Sequence, residues 1–400
     1  AASRAGRGAH RGPDWARLNQ LAADGDVAGA EAIVLRFCSA GHEMQARTML
    51  HNMTLKACAV GGNLRRAGEW FRRMEQHGIP LNIKTFGKMI RACAVVGDAK
   101  EAKMWLTRTV PRFELSLVAL SSTIDAFANA GQPDEAALLF RTAQDAGLEL
   151  DSVVFTSVIN AFGKAGRADE AGAWFSELQT SGALVDPAAY NSSIHAAAVR
   201  GRADDAGRLL DQMAAARVAP TAVSFASVIN ACAKAGQPRR ALAWLEEMPR
   251  RSVRPNDVCF NSTANACLQG GLLDEAEACI QSMEATGLAL DRFSYAALIK
   301  ARARRGDVAG AAGALLRARR ASVSPDTMCF NGVLDACARA RDLPRALELL
   351  EDMRSARYPP NVASYTSALY ACGDAAREAA RRLLDRMRAD GIRHDARSLA

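Results

Sequence analysis

The sequence repeats itself with a period of 35 residues. The stretch "FTSVINAFGKAG" at 155–166 returns as "FASVINACAKAG" at 225–236, and "YNSSIHAAAVRG" at 190–201 carries the same pattern halfway between them. A fixed period of about 20 to 50 residues indicates one stacked array of short units rather than several globular domains. Because a single unit cannot bury its own apolar face, neighbouring units must supply the core.

Ten tandem repeats are predicted when each is counted from the residue three before a recurring aromatic, and the second and the last are one residue short. They span 48–82, 83–116, 117–151, 152–186, 187–221, 222–256, 257–291, 292–326, 327–361 and 362–395. Residues 11–47, with Ala30 and Gly41 in the matching places, are predicted to be a degenerate N-terminal capping repeat. Residues 1–10 are expected to be a disordered tail or a transit-segment remnant, since they contain Arg and no acid. Residues 396–400 read as the start of a truncated further repeat.

Each repeat is predicted to be a hairpin of two helices. The tenth residue is Ala in every repeat, and Ala also recurs at the twentieth when the one-residue gap in the last repeat is allowed for, as close helix packing requires. A glycine suited to ending the first helix in the left-handed conformation separates the halves of several repeats, at Gly131, Gly166, Gly201, Gly236 and Gly306. Acids that suit the dipole follow in the first turn of the second helix, at Asp134, Asp169 and Asp274. The apolar residues of one second helix have helical spacing, at Ala171, Trp174, Phe175 and Leu178, with Gly182 after them.

The cysteines and tryptophans, which could by themselves suggest a metal site or a base-stacking site, fall on core positions of the repeat. Six of the ten cysteines share one place that Phe127 and Phe162 fill elsewhere: Cys58, Cys93, Cys232, Cys267, Cys337 and Cys372. A place shared by Cys and Phe is a core place, which indicates reduced cysteines in a reducing compartment. Four tryptophans also share one place and are interpreted as core rather than as base-stacking residues: Trp70, Trp105, Trp174 and Trp244. No CxxC or HExxH motif occurs, so neither a metal nor a cofactor is expected.

The chain carries a net charge of +8 and has a pI of about 9.1. A basic surface favours an anionic partner such as nucleic acid, and the alternative is a compositional bias, since Ala and Arg are both abundant. No run of about 18 apolar residues occurs, so no membrane span is expected.

The repeat pattern resembles the pentatricopeptide repeat family over residues 48–395. "YNSSIHAAAVRGRADDAGRLLDQMAAARVAPT" and "CFNGVLDACARARDLPRALELLEDMRSARYPPN" carry the family pattern nearly complete. The tetratricopeptide repeat, which grips peptides, is the nearest alternative, but its Trp, Leu-Gly and Tyr pattern is absent. The resemblance implies an all-α fold, a right-handed α-solenoid superhelix of about ten helix-turn-helix repeats, that binds single-stranded RNA with one base per repeat.

In this family the fifth and the last residue of each repeat read one base, so the resemblance assigns the readers by position. Guanine is assigned to Ser121 with Asp151, to Thr156 with Asp186, and to Thr366 with Asp395. Uridine is assigned to Asn261 with Asp291, and a pyrimidine to Asn52 with Asn82, to Asn191 with Thr221, and, with cytidine favoured, to Asn331 with Asn361. No base is assigned where the fifth residue lacks a polar group, at Gly87 with Ser116, Ala226 with Asn256, and Ala296 with Asp326. With the N-terminal repeat toward the 5′ end, the predicted target is 5′-YNGGYNUNYG-3′.

The resemblance also implies an apolar wedge at the second residue of the repeats, which would hold each base between neighbours: Val118, Val153, Val223, Val258 and Phe293. The alternative is ordinary packing between repeats. Basic residues recur near the end of the first helix, where they could reach phosphates, at Lys164, Lys234, Arg304 and Arg339. Other repeats place Val60, Val95 or Asp374 there, and a solvated charge is the alternative for each basic residue.

Two other function classes compete with RNA binding. An enzyme is not expected, because the HxE and CxxC motifs of a cytidine-deaminase tail are absent and no other segment is long enough for a nuclease domain; a catalytic domain beyond the C-terminus stays open. A protein-binding scaffold is disfavoured, because only a base code is expected to combine Asp or Asn at the last place with Asn, Thr or Ser at the fifth place. The family further implies a monomer in a plastid or mitochondrion, with a plastid favoured, acting on an organellar transcript alone or with RNA-processing proteins.

Overall fold

The computed structural model describes residues 15–38, 44–113, 116–356, 358–373 and 377–392. These residues form 22 α-helices and no strand, which confirms the predicted all-α class. The chain divides into two compact units, Ala1–Val199 and Arg200–Ala400. Residues 1–14, most of the segment between the capping hairpin and the first repeat, Asp374, Asp395 and residues 396–400 lie outside the described residues.

The first unit contains eleven of the described helices, and they alternate between first and second helices of successive hairpins. They are α1 (Trp15–Asp24), α2 (Val27–Cys38), α3 (Met44–Val60), α4 (Leu64–Gln76), α5 (Ile83–Val96), α6 (Ala99–Thr109), α7 (Leu117–Asn129), α8 (Pro133–Asp145), α9 (Ser152–Lys164), α10 (Ala168–Thr180) and α11 (Pro187–Val199). The odd-numbered helices pack side by side in one layer. Each even-numbered helix in turn packs against the odd-numbered helix that precedes it and the one that follows it in the chain. This arrangement is that of an α-solenoid.

The second unit repeats the two-layer arrangement. Its described helices are α12 (Ala203–Ala215), α13 (Ala222–Lys234), α14 (Pro238–Arg250), α15 (Asp257–Gln269), α16 (Leu273–Ala285), α17 (Arg292–Arg304), α18 (Val308–Arg320), α19 (Thr327–Ala340), α20 (Leu343–Ser355), α21 (Val362–Cys372) and α22 (Arg377–Ala389). The first helices α13, α15, α17, α19 and α21 form the layer of neighbours, and the second helices cover the other side.

Small residues at fixed places allow the helices to approach closely. The alanines at the tenth place, such as Ala161 and Ala231, are buried, and so are those at the twentieth place in the first nine repeats, such as Ala171 and Ala241. The six register cysteines are buried, and burial raises the pKa of the Cys58 thiol to about 12, which confirms an unreactive core role. The buried residues of α10 are the four predicted from helical spacing.

The chain turns between helices at positions that require the left-handed conformation. The five glycines predicted to end first helices have φ between 66° and 73°. At the thirty-first place of the repeat, where Gly182 has φ 81° and Gly287 has φ 79°, three repeats instead place a residue with a side chain: Arg217, Ser252 and Ser322 have φ of 57° to 58°.

Replacing Ser252 and Ser322 by glycine is expected to stabilise the chain. A non-glycine residue in the left-handed region costs about 1 to 2 kcal/mol, and glycine removes this cost. Part of the gain is lost again, because glycine also increases the conformational entropy of the unfolded chain. We expect each substitution to raise the free energy of unfolding by about 0.5 to 1 kcal/mol in urea titrations. Ser252→Ala and Ser322→Ala are the matched controls, because alanine keeps the side-chain clash; an equal gain from alanine would contradict the explanation.

Ion pairs between successive repeats use many of the arginines. Arg167 Nη1 lies 2.7 Å from Asp134 Oδ2, and Arg240 Nη1 lies 2.7 Å from Asp204 Oδ1. Arg66 Nε lies 2.6 Å from Glu31 Oε1, which joins the capping hairpin to the first repeat. Exposed pairs of this kind contribute little stability individually. They show that part of the arginine content serves repeat stacking, so net charge alone is a weak guide to the location of a binding surface.

Candidate nucleic-acid interface

The fifth and the last residue of a repeat meet directly in three repeats, although 30 residues separate them. Asn261 Nδ2 lies 3.2 Å from Asp291 Oδ1 and 3.3 Å from Oδ2. The corresponding distance is 3.3 Å from Asn331 Nδ2 to Asn361 Oδ1, and 3.4 Å from Asn52 Nδ2 to Asn82 Oδ1. The pairs assigned from the sequence are therefore neighbours in space, and in each pair the amide donates to the last residue.

In most of the described repeats the last residue also caps the first helix of the next repeat. Asp291 Oδ1 accepts from the backbone N–H of Ser294 at 2.8 Å, and Asp151 Oδ1 accepts from that of Val154 at 3.1 Å. Asp, Asn, Ser and Thr are the preferred residues at this position of a helix. The argument that only a base code explains Asp or Asn at the last place is therefore wrong, because helix capping explains them as well. Capping does not explain the polar residues at the fifth place.

A serine in the first turn of the next helix fixes two of these pairs. Ser294 Oγ lies 2.8 Å from both Asn261 Oδ1 and Asp291 Oδ1, and Ser364 Oγ lies 2.6 Å from Asn331 Oδ1. Burial raises the pKa of Asp291, but hydrogen bonds from Ser294 and Asn261 outweigh burial and hold the pKa below its ordinary value. Asp291 is thus a carboxylate at neutral pH and can only accept hydrogen bonds.

A groove in the second unit collects the same register places from α15, α17, α19 and α21. Its volume is about 920 Å³, within the range of small-ligand sites. It is lined by residues from the second, fifth, sixth and ninth places, among them Val258, Asn261, Ser262, Asn265, Phe293, Lys300, Met328 and Asn331. The sixth and ninth places were not identified from the sequence. Their spacing of four and seven from the second residue, which puts them on one helix face, was the available signal.

The first unit has a smaller groove at the same places. It is about 220 Å³ in volume and is lined by residues that include Asp125, Val153, Thr156, Asn160 and Asp186. Asp186 lies against this groove and also caps α11, since its Oδ1 accepts from the N–H of Ala189 at 2.8 Å. The same register places therefore line a groove in each of the two units.

The second residues of the repeats are exposed apolar side chains. The exposed fraction is 70% for Val118, 53% for Val153, 60% for Val223, 51% for Val258 and 60% for Phe293. Met49 and Met328, which occupy the same place, are 57% and 62% exposed. Ordinary packing between repeats would bury these side chains, so the packing alternative does not account for them. A regular row of exposed apolar groups is typical of a binding surface.

Two fifth residues carry a polar atom that is buried without a partner among the described residues: Thr156 Oγ1 and Asn52 Oδ1. Buried polar atoms are nearly always hydrogen-bonded, so the unpaired Thr156 Oγ1 at the wall of the smaller groove indicates a place for a ligand group. The other hydroxyl readers differ, because Ser121 Oγ donates to Val118 O at 3.2 Å and Thr366 Oγ1 donates to Val362 O at 2.8 Å. Among the remaining readers, Thr221 is exposed, and Asn191, Asn256 and Asp326 are partly exposed.

The basic residues predicted to contact phosphates lie at the ends of first helices, where they also meet protein groups. Lys164 Nζ lies 2.5 Å from Asn129 Oδ1, and Arg304 donates to the carbonyl of Leu268. Arg339 Nε lies 3.0 Å from Asp335 Oδ2, and Lys234 is exposed. These contacts tie neighbouring helices together or neutralise the charge, so a phosphate would have to compete for the side chains. Their role in phosphate binding stays a prediction.

The described residues contain no group of three His, Cys, Asp or Glu side chains that could hold a metal ion. Among the same residues no helix is long and apolar enough to cross a bilayer.

Family models for the repeat match most of the chain. The model described as "PPR repeat family" matches 220–269 and 325–374, "Pentatricopeptide repeat domain" matches 45–94, 173–235 and 278–337, and "PPR repeat" matches 118–148, 153–182 and 258–288. No curated protein sequence matches the chain.

Solved structures similar to the chain include three of the pentatricopeptide repeat protein PPR10. Two are complexes with an 18-nt psaJ RNA element; they share 20% identity with the chain at TM-scores of 0.77 and 0.78, covering 97% of it. The protein from maize without a stated ligand shares 21% identity at a TM-score of 0.58, covering 93%. The chain spans 56% of the length of the PPR10 chains in the complexes and 53% of the third. At this level of identity the likeness concerns the fold.

Proposed function

The chain belongs to the pentatricopeptide repeat family, and from this premise we propose that it binds single-stranded RNA with one base to each repeat. The observation that carries the proposal is the register common to both units. In each, exposed apolar second residues and polar fifth and last residues open onto one groove. Similarity in fold to PPR10, which is described in complex with RNA, supports the same reading.

The groove combines the two interactions that single-stranded RNA recognition uses. Bases splayed from one another can stack between successive apolar side chains, because every base has a flat apolar face. The fifth and last residues then meet the base edge, where the pattern of donors and acceptors distinguishes one base from another. The proposed target, from the assigned pairs, is 5′-YNGGYNUNYG-3′.

The proposed setting is a plastid or mitochondrion, with an organellar transcript as the target. The family membership supports this setting. Because the chain has no proposed catalytic residue, it would act by occupying the RNA: shielding it from nucleases, changing its structure, or positioning RNA-processing proteins.

Replacing Ala226 by Thr tests the code at a repeat that reads no base. Thr156 occupies the same register place in its own repeat, so the groove accommodates a threonine there. With Asn256 as the last residue, the family code assigns adenine to the new pair. We expect the variant to gain roughly fivefold or more in affinity for RNA with A at the sixth position, about the 1 kcal/mol of one net hydrogen bond. Fluorescence anisotropy with A, C, G and U at that position measures the gain.

Ala226→Val is the matched control, because valine has the shape of threonine without its hydroxyl. An equal gain for all four bases, or the same adenine preference with valine, would show that the register or the code is not that of this chain.

A further inference from the structure

The second repeat, 83–116, lacks every feature that serves base reading in the other repeats. Its second residue is Lys84 in place of an apolar wedge, and its fifth residue is Gly87. Its last residue, Ser116, makes no side-chain capping hydrogen bond. A Cβ built on Gly87 would meet nothing within 4 Å, so the space taken by a reading side chain elsewhere is open here.

Cations replace the reading features around this open space. Lys84, Lys88 and Arg91 stand at the second, sixth and ninth places on α5, a spacing of four and three that puts them on one helix face. Lys56 stands at the ninth place on α3, which packs against α5. The same three places line the grooves of repeats 152–186 and 257–291, so these four cations share the RNA-facing surface. Lys56, Lys84, Lys88 and Arg91 are called the lysine cluster below.

The lysine cluster lacks neutralising carboxylates near its centre. Lys88 is half-buried, and burial, followed by the charges of Lys56 and Lys84, lowers the pKa of Lys88. In the part of the chain that the structure describes, no carboxylate pairs with these three lysines. Arg91 acts on the carboxyl of Asp125 on α7, whose pKa burial raises and the charge of Arg91 lowers in part. Like charges held together without a partner cost free energy, which a bound anion relieves.

We infer that the lysine cluster binds a phosphate group of the RNA and that the second repeat grips the backbone instead of reading a base. This inference rests on the proposed RNA binding. Lysine binds phosphate as a point charge, and the open space at Gly87 gives the oxygens access to the ammonium groups. The register place that carries Lys164 or Arg304 elsewhere carries the exposed Val60 and Val95 in the first two repeats. The first two repeats therefore carry their cations within the groove and not at the end of the first helix.

The phosphate bound by the lysine cluster can be an internal phosphodiester or a 5′-terminal monophosphate of the RNA. Both are within reach, because the N-terminal repeats lie toward the 5′ end in the proposed binding mode. Three RNAs separate them: the target with a 5′-hydroxyl, the target with a 5′-phosphate, and the target with a neutral methylphosphonate linkage between the second and third nucleotides. A benefit confined to the 5′-phosphate identifies the terminal group, and a loss on neutralising the linkage identifies the internal one.

The test compares Lys84→Gln/Lys88→Gln with Lys100→Gln/Lys103→Gln in the full chain. The control pair lies exposed on the second helix α6 and removes the same two charges. Affinity for the target is measured from 50 mM to 500 mM salt. We expect the cluster variant to reduce the slope of log K against log salt by about 0.7, the value for one phosphate contact, so that its loss of affinity is about fivefold larger at 50 mM than at 500 mM salt. Preference for guanine at the third and fourth positions should persist.

An equal change in slope for the control, or no change for the cluster variant while the unaltered chain still prefers its target, would overturn the phosphate site and leave the proposed function standing. If the unaltered chain does not bind RNA at all, both fail.

Discussion

Replacing Val258, Phe293 and Met328 together by alanine is expected to lower the affinity for single-stranded RNA roughly 100-fold. These side chains are the second residues of three successive repeats, they line one groove, and they are 51%, 60% and 62% exposed. Stacking on such groups stabilises binding by about 1 to 3 kcal/mol per base, and the lower value applies here because two of the three are aliphatic. Three contacts of about 1 kcal/mol give the expected factor.

The same substitutions should leave the folded chain almost unchanged, since the side chains contribute little to the core. Leu138→Ala/Leu184→Ala/Leu316→Ala is the control, because these leucines are exposed to a similar or greater extent but do not line the groove. Electrophoretic mobility shift with the predicted target measures affinity, and thermal unfolding measures stability. A similar loss of affinity in the control, or a loss explained by unfolding, would contradict the wedge.

Exchanging Asp291 and Asn361 is expected to exchange the bases preferred at the seventh and ninth positions. Asp291→Asn should turn uridine preference into cytidine preference, and Asn361→Asp should do the reverse. A carboxylate only accepts and so suits the N3–H of uracil, whereas an amide can also donate and so suits the N3 acceptor of cytosine. A difference of about 1 to 1.5 kcal/mol for one such hydrogen bond corresponds to a tenfold change in preference at each site.

This exchange separates base reading from helix capping. Asn and Asp cap a helix about equally well, so the free energy of unfolding should change by only a few tenths of a kcal/mol. Asp291→Ala is the contrasting variant: it removes the cap as well, and should cost about 1 kcal/mol of stability in addition to losing the preference. If Asp291→Asn and Asn361→Asp leave both preferences where they were, the last residue is a cap and not a reader.

The sequence predicts the architecture well because the architecture is encoded locally and repeatedly. A tenth-place alanine that no repeat changes, such as Ala161 or Ala231, must lie where two helices touch, and it does. A glycine after the first helix must adopt positive φ, and Gly166 does, with φ 72°. The helical spacing of apolar residues such as Trp174 and Leu178 predicts which face of the helix is buried, and both residues are buried.

The candidate site is predicted less completely, because its side chains have more than one function. The last residue satisfies a helix terminus as well as lying beside the fifth, so its residue type does not identify a reader. The hydroxyl of Ser294 lies within hydrogen-bond distance of Asn261, which is 33 residues earlier in the chain, and of Asp291, which is three residues earlier. Only the geometry of the turn brings these three residues together. The lysine cluster is not predicted from the sequence, because Lys84, Lys88 and Arg91 occupy three different register places within a repeat to which the code assigns no base.

The central claim is that the register reads RNA sequence, and the most direct measurement is binding of the purified chain to 5′-YNGGYNUNYG-3′ against a scrambled RNA of equal composition at two salt concentrations. The account predicts tighter binding to the target that persists at the higher salt, because stacking and base contacts do not depend on released counterions. Equal binding to both RNAs, falling along a slope of about 0.7 for each phosphate contact, would mean a basic surface without a code and would contradict the account.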